Sequence, residues 1–327
     1  MVTRSIFLEA TAIALAACTP DFSDTTAVVT APRLLAVRST PAEGPTSSGF
    51  AMTSLYVGPD GGADASSLSW ATCLLQKPLG DPGSVNPECL TVGSTGVVSL
   101  GLGASIKGSV PANACELFGP ESPPPLAGQP SARPTDPDST GGYYLPIRVE
   151  AGDAGDSIAF QRILCQPSGV VESVFTAYTA NYVPNENPVV SSLAVLAGDA
   201  GTTLIAPDSP GVQPSVTVRA GTSVSLRVAW PSCPTQPAAC GGAETYLLID
   251  TATKELTTAR ESMVTSWYAT AGTFALDRVG RSTDDPSTTV DNAWTAPTTP
   301  GPLHLWVVLR DARGGTGWAS YTVTVGP

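Results

Sequence analysis

Short runs in which apolar and polar residues alternate recur along most of the chain, and clusters of Gly, Pro, Ser and Asp separate them. A two-residue period places successive side chains on opposite faces of a β-strand, so these runs predict short strands joined by turns. In the first half of the chain the predicted strands lie within RLLAVRSTPAE (33–43), GFAMTSLYVG (49–58), SLSWATCLLQ (67–76), YYLPIRVEA and SIAFQRILCQ.

The second half repeats this pattern at hairpin-like intervals. SVTVRAGTSVSLRVAW (215–230) predicts two strands around a turn at Ala220 and Gly221. Further strands are predicted in ETYLLID, SMVTSWYAT, NAWTAP, PLHLWVVLR and TGWASYTVTV. About seven short strands of this kind predict a β-sandwich.

A domain boundary is predicted near Asn185. The segment VVESVFTAYTANYV (170–183) fits either a short helix or a last strand, and the PNENP that follows it has the punctuation typical of a boundary. We therefore expect one β-sandwich domain over residues 33–184 and an immunoglobulin-like one over residues 185–327. Residues 119–141 are rich in proline and predict an exposed loop.

The last predicted hairpin, residues 303–325, allows its register to be read from the sequence. One face carries apolar side chains at every second position, namely Leu303, Leu305, Val307, Leu309, Ala319, Tyr321, Val323 and Val325. His304, Trp306 and Trp318 then point outward. Pairing of Arg310 with Thr316 would make the two indoles diagonal neighbours.

These three outward residues form the candidate binding surface. An exposed aromatic pair can stack on a sugar ring or anchor another protein, because aromatic side chains concentrate binding energy. The alternative is that the pair packs under a loop or against the first domain. Partners predicted on this basis are a glycan or an envelope protein.

Composition supports an all-β chain of two domains. Of 327 residues, 42% are apolar and only 13% are charged, with 32 Gly and 31 Pro, which favours short strands and turns over long helices. The net charge of −12 opposes a phosphate backbone, so no nucleic acid partner is expected. Beyond the N-terminal apolar run, no stretch approaches the roughly 20 apolar residues that a membrane-spanning helix needs.

The N-terminus, residues 1–17, has the layout of a secretory signal peptide. Arg4 precedes the mainly apolar run SIFLEATAIALAA, which Glu9 interrupts, and a site of small residues follows. Residues 18–32 are polar and rich in turn formers, which predicts a flexible tether between an anchor and the first domain.

The tetrad Leu15-Ala16-Ala17-Cys18 resembles the bacterial lipobox. The resemblance implies cleavage before Cys18 and lipid on its sulfur and amine, so that the mature protein is held at a membrane by its N-terminus. Threonine rather than aspartate at position 19 favours the outer membrane. The alternative is an ordinary signal peptide that has a cysteine near its end.

Cysteine parity supports the same interpretation. An exported protein with seven cysteines would carry one unpaired thiol, and assigning Cys18 to lipid leaves six. Cys233 and Cys240 lie alone in the second half and are predicted to pair. Among the three pairings open to the other four, we favour Cys73 with Cys89 and Cys115 with Cys165.

Motifs for catalysis, metals and cofactors are weak. The only histidine is His304, so any His-dependent triad must use it, and no GxSxG, HExxH or CxxC motif occurs. GLGASIKGS does not match a phosphate-binding loop, because that motif requires Gly-Lys-Ser/Thr in this order and here the lysine precedes the glycine. Acidic residues gather in predicted turns, where they are either solvated or bind calcium: Asp60, Asp136, Asp138, Asp153, Asp156, Asp277, Asp284, Asp285 and Asp291. We predict no catalytic residue, no metal and no cofactor.

Two wider resemblances complete the interpretation. The order of strands and turns resembles tandem immunoglobulin-like domains, although Trp70 and Cys73 fall on opposite faces of one strand and depart from the antibody pattern. Stretches such as PDSTGGYYLPIRV and LWVVLRDARGGTGWASYTV are similar to predicted secreted lipoproteins of myxobacteria and related bacteria.

The expected protein is a non-catalytic, lipid-anchored envelope protein with a binding or structural role. The alternative is a surface hydrolase, similar to glycosidases, that uses loop carboxylates.

Overall fold

The computed structural model describes residues 26–76, 85–119, 142–167, 169–196, 202–205, 207, 216–250 and 252–327. Within these ranges the chain forms twenty β-strands and two short α-helices. The predicted fold class is confirmed: the protein is all-β, and its mainly antiparallel sheets form two sandwich-like domains. The predicted signal peptide, Cys18 and most of the proline-rich loop lie outside the described residues.

The first domain is built from eight of these strands. They are β1 (Arg33–Thr40), β2 (Glu43–Pro45), β3 (Gly49–Val57), β4 (Ser69–Cys73), β5 (Val97–Leu102), β6 (Ser105–Ser109), β7 (Gly142–Glu150) and β8 (Asp156–Leu164). One sheet has the order β1-β3-β6 and the other β2-β8-β7-β4-β5. Met52 of the first sheet and Trp70, Leu145 and Ile147 of the second belong to one buried cluster, so the two sheets pack face to face.

The second domain contains the remaining twelve strands. They are β9 (Ser192–Leu196), β10 (Thr202–Ile205), β11 (Thr217–Arg219), β12 (Ser223–Ala229), β13 (Thr245–Ile249), β14 (Leu256–Arg260), β15 (Met263–Ala269), β16 (Thr273–Phe274), β17 (Arg278–Arg281), β18 (Thr289–Thr295), β19 (Gly301–Asp311) and β20 (Thr316–Gly326). Two five-stranded sheets, β10-β9-β12-β18-β16 and β11-β20-β19-β15-β17, enclose a core around Trp267 and Trp294. The hairpin β13-β14 stands apart from them.

The two helices are α1 (Ala114–Leu117) and α2 (Glu172–Asn181). Of the two structures left open for residues 170–183, the helix is the one that forms. Val174 and Tyr178 of this helix, with Val170 just before it and Tyr182 just after it, pack against the β13-β14 hairpin of the second domain. A four-residue spacing brings side chains to one face in a helix and in a strand alike, which is why the sequence pattern left both structures open.

Residues 97–109 form β5 and β6, a pair of strands that the sequence pattern did not predict. This stretch carries three glycines among its apolar residues, which obscures the two-residue period. The boundary near Asn185 stays a prediction. In the described part of the chain, no sheet combines strands from before and after that residue.

Residues 26–32 correct the predicted tether. Ala27 and Val29 are buried against the second domain. The Val29 N–H donates to the Ala269 carbonyl at 2.8 Å, and the Ala269 N–H donates to the Ala27 carbonyl at 2.9 Å. β17 covers only the first part of β15, from Met263 to Ser266, so the N-terminal segment occupies the edge that β17 leaves open. The apolar alternation of Ala27 and Val29 is the reason that this part of the segment is bound.

Candidate functional site

The predicted register of the β19-β20 hairpin is confirmed. Arg310 pairs with Thr316, Val308 lies opposite Trp318, and Trp306 lies opposite Ser320. The alternate apolar side chains of both strands point into the core of the second domain. Trp306 and Trp318 consequently project from the outer face of the sheet, as the two-residue period requires.

That outer face is not free surface, which corrects the interpretation of the aromatic pair. Trp306 is only 2% exposed. It belongs to a cluster, hereafter the aromatic contact, in which the β1-β3 sheet of the first domain covers β19. The members are Val29, Leu35, Ala36, Leu55, Val57, Trp306 and Val308, with Tyr268 and Trp318 packed against them. The structure therefore contains the alternative arrangement, in which the pair packs against the first domain.

Trp318 and His304 lie at the margins of the aromatic contact. The Arg38 guanidinium sits 4.5 Å from the centre of the Trp318 ring. The His304 ring stacks on Trp306 with 6.0 Å between centroids. Gly61, which has a φ of +92°, lies so close to the His304 ring that an added Cβ would come within 2.5 Å of it. His304 Nδ1 is 3.4 Å from the Thr322 hydroxyl, so its described neighbours are aromatic, glycyl and hydroxyl groups.

Most of the predicted loop carboxylates that are described bind local donors. Asp291 forms a bidentate ion pair with Arg227, at 2.6 and 2.7 Å, and this hydrogen bonding lowers the pKa of Asp291. The Ser287 hydroxyl and N–H, and then Arg281, lower the pKa of Asp285. The Ser282 hydroxyl does the same for Asp284, and Asp277 accepts from the Thr26 hydroxyl.

The other members of that acidic set are described only in part. Asp60 and Asp156 are exposed, Asp136 and Asp138 lie outside the described residues, and the side chain of Asp153 does too. Among the described residues no group of three or more His, Cys, Asp or Glu side chains is arranged to hold a metal ion.

The structure does gather charged side chains, but at a place that the sequence analysis missed. Arg313, in the turn between β19 and β20, is buried at the boundary between the domains. Its Nε donates to Glu261 at 2.6 Å and its Nη2 donates to Glu244 at 2.7 Å. Its Nη1 donates to the Val183 carbonyl at 3.1 Å, and the Tyr246 ring lies 4.7 Å from the guanidinium. We call this region the charged junction.

The first domain contributes Glu43 and Arg162 to the charged junction. Both are buried, and Arg162 Nε lies 3.3 Å from a Glu43 oxygen. The Tyr182 hydroxyl contacts both Glu43 oxygens at 2.8 Å, and the Asn185 N–H donates to Glu43 at 2.8 Å. Burial first, and then the Glu43 charge, raises the pKa of the Tyr182 hydroxyl, so this hydroxyl stays protonated as a donor.

The linker between the domains joins both sides. The Asn185 side-chain amide donates to the two Asp311 oxygens at 3.3 and 3.4 Å, while its N–H serves Glu43 in the first domain. Asn187 donates to the Ser39 carbonyl at 2.6 Å and accepts from the Thr316 N–H at 2.9 Å. The segment PNENP, predicted to mark a domain boundary, thus contains two asparagines that each connect the first domain to the second.

Asp311 organises the turn that carries Arg313. One of its oxygens accepts from the Arg313 N–H at 2.9 Å and from the Gly315 N–H at 2.8 Å. A Cβ on Gly315 would come within 2.0 Å of the other Asp311 oxygen, so glycine is required there. Tyr144 of the first domain closes the turn from outside, since its hydroxyl donates to the Arg313 carbonyl at 3.2 Å.

Burial dominates the electrostatics of the charged junction. It raises the pKa of Glu261 to about 8, with the nearby Asp311 charge acting in the same direction and Arg313 opposing it. Burial also raises the pKa values of Asp311 and Glu244. Removal of a carboxylate from water disfavours its charged form, and a neighbouring carboxylate adds to that penalty.

All three predicted disulfides are confirmed. Cys73–Cys89, Cys115–Cys165 and Cys233–Cys240 have Cα–Cα distances of 5.5, 5.7 and 5.6 Å. Each distance lies in the ordinary range for a disulfide. Three structural disulfides favour an oxidising, extracytoplasmic compartment.

Two open grooves of about 320 Å³ each lie near the domain boundary. One runs between β1, β8 and the β19-β20 turn, and the other runs beside α2 and the Cys115–Cys165 disulfide. Neither of these two linings includes an Asp or Glu. Over the described residues, no helix is long and apolar enough to cross a membrane.

Comparisons with known proteins add little. No protein-family model matches the chain, and no curated protein matches it. Latent PorU from Porphyromonas gingivalis is similar over 90% of this chain and 24% of its own, with 9% identity and a TM-score of 0.19. Escherichia coli alpha-2-macroglobulin is similar over 91% of this chain and 22% of its own, with 8% identity and a TM-score of 0.19.

A third solved structure with similarity is SGBP-B of a mixed-linkage glucan utilization locus of Bacteroides ovatus. The similarity covers 90% of this chain and 70% of that one, with 8% identity and a TM-score of 0.17. The chain thus spans about a quarter of the first two proteins, and all three TM-scores are too low to support an argument about function.

Proposed function

We propose that the protein is a lipid-anchored component of a bacterial cell envelope, and that its two domains serve as a non-catalytic structural spacer. The observation that carries the spacer role is the burial of Trp306 between the domains. The residues with the strongest sequence signal for ligand binding are used to hold the two domains together. A surface that is occupied internally favours the structural role over the glycan-binding one.

The location rests on independent arguments. Three disulfides in an acidic chain fit an extracytoplasmic compartment. They use six of the seven cysteines, which leaves Cys18 of the lipobox-like tetrad for lipid. A lipoprotein with several acyl chains stays at the membrane because each buried CH₂ contributes about 0.8 kcal/mol. The outer membrane is the proposed location, in agreement with threonine at position 19.

The hydrolase alternative has no observation in its favour that would make it a second proposal. Four of the loop carboxylates it required, Asp277, Asp284, Asp285 and Asp291, are engaged by hydrogen-bond donors.

The anchor is tested by Cys18→Ser in a bacterial host that processes lipoproteins. The wild-type protein is expected in the membrane fraction and to be released only by detergent, whereas the variant is expected in the soluble envelope fraction. Thr19→Ser is the matched control and should leave the protein in the membrane. Equal fractionation of Cys18→Ser and the wild type would refute the anchor.

A further inference from the structure

We propose that the charged junction holds a proton at neutral pH and that docking of the two domains is thereby proton-linked, so that the junction weakens as the medium becomes alkaline. The proposal concerns a device inside the fold and does not depend on the lipid anchor.

The first support is the balance of buried charges. Within the described part of the chain, the junction contains four carboxylates and two guanidinium groups, all on buried residues: Glu43, Glu244, Glu261, Asp311, Arg162 and Arg313. If every group were ionised, the cluster would carry two uncompensated negative charges away from water. Proteins rarely leave buried charges unpaired, and a carboxyl in such a cluster takes up a proton instead.

The second support is the position of the groups around Arg313. Glu244 and Glu261 accept from two different nitrogens of this one guanidinium. Asp311 contacts the backbone N–H of Arg313 and the Asn185 amide, and none of its described hydrogen bonds comes from a guanidinium. One cation therefore serves three carboxylates on the second-domain side of the junction.

The remaining groups around the pair do not supply the missing positive charge. From the first domain, Glu43 and Arg162 neutralise each other. Tyr182 is a neutral donor to Glu43, and the linker contributes the amide of Asn185. From the β13-β14 hairpin, the Tyr246 ring faces the Arg313 guanidinium. The proton is consequently assigned to Glu261 and Asp311 as an interacting pair rather than to one of them.

The electrostatics agree with this assignment in direction. Burial raises the pKa of both Glu261 and Asp311, in the case of Glu261 from 4.5 to about 8. A carboxyl whose pKa rises on folding takes up a proton when the chain folds between those two values. Its stabilising contribution is fully present below about pH 4.5 and is lost as the pH rises through about 8.

The test is the pH dependence of unfolding of the full-length protein, followed by urea titration from pH 5 to pH 9. For the wild type, a one-proton linkage lowers the folding equilibrium constant by up to about tenfold per pH unit below pH 8. Glu261→Gln keeps the shape of the side chain without its charge. It should flatten this dependence, with a loss of stability that is the same at every pH, because its amide NH2 replaces one of the two oxygens that accept from Arg313 and from the Glu244 N–H.

Glu255→Gln is the matched control, because Glu255 is exposed on the turn between β13 and β14. It should preserve the slope of the wild type. Equal slopes in the wild type and Glu261→Gln would overturn the proposal. If Glu261→Gln does not fold, Asp311→Asn tests the same pair, and an unchanged slope there overturns the proposal equally.

A second measurement addresses domain docking itself. Small-angle X-ray scattering at pH 6 and pH 9 reports the radius of gyration. The wild type should expand at pH 9, whereas Glu261→Gln should keep the same radius at both pH values. A wild-type radius that does not change between these pH values would overturn the link between the proton and docking.

Discussion

The same two domains meet in two chemically opposite ways. The aromatic contact is apolar: the β1-β3 sheet covers Trp306 and Val308 on the outer face of β19. The charged junction lies at the far end of the same hairpin, where Arg313 is enclosed by carboxylates from several elements. Both regions are buried, but the aromatic contact removes hydrocarbon from water and the charged junction removes ions.

This difference suggests that the two regions have separate roles, one in the stability of the contact between the domains and the other in their relative orientation. Burial of an aromatic side chain contributes by area and tolerates small shifts. Buried ion pairs roughly offset their own desolvation, but they are costly to break because an unpaired charge stays behind. We therefore expect the aromatic contact to supply much of the binding energy between the domains and the charged junction to fix their relative orientation.

The largest effect is expected from Arg313→Met. The change leaves Glu244 and Glu261 without their cation and should lower the free energy of unfolding by roughly 5 kcal/mol at pH 7. Chemical denaturation measures this loss. Arg313→Lys keeps the charge but not the two-pronged geometry, so it should recover only part of it. A loss below about 1 kcal/mol for Arg313→Met would make the charged junction no more important than a surface ion pair.

A smaller loss, about 3 kcal/mol, is expected from Trp306→Ala, which removes the largest side chain of the aromatic contact. Unlike the change at Arg313, its cost should not depend on pH between 8 and 9, since no titrating carboxylate is described in that cluster. Trp318→Ala, at the half-buried margin, should cost less. A strong pH dependence of the Trp306→Ala loss would contradict the separation between the two regions.

The smallest effect is expected from Asn187→Ala. This side chain makes one hydrogen bond to each domain, with the Ser39 carbonyl and the Thr316 N–H. Their loss should cost about 1–2 kcal/mol. Thermal unfolding of the variant measures it, and Glu186→Gln, a change at the neighbouring residue, is the control. No change in the melting temperature would mean that the linker only connects the domains and does not align them.

Local pattern was sufficient for much of the fold. A two-residue period gave the inward and outward faces of β19 and β20, and the pairing of Arg310 with Thr316, which was assumed for the hairpin, is the one that forms. Cysteine spacing gave the three disulfides. The strand faces depend on residues close together in the sequence, and the disulfides follow from an even number of cysteines, so a single sequence is enough to predict both.

The function of the two contact regions was not accessible in this way. The two-residue period of β19 shows only that the Trp306 side chain points away from the core of its own domain. The sheet that covers this side chain begins some 270 positions earlier in the sequence. The charged junction brings together Glu43, Glu244, Glu261 and Asp311, which lie far apart in the sequence and follow no common spacing. One weak signal was present. Glu244 is the first residue of the predicted strand ETYLLID and Glu261 directly precedes the predicted strand SMVTSWYAT, in a chain that has few charges.

The bound N-terminal segment has a mechanical consequence for a protein tethered as proposed. Eight residues, from Cys18 to Thr25, extend at most ~29 Å, and the chain then meets β15 through the hydrogen bonds between Val29, Ala27 and Ala269. Tension applied at the lipid would reach the second domain before it reaches β1. The domain that comes last in the sequence would thus be the first to bear a pull from the bilayer.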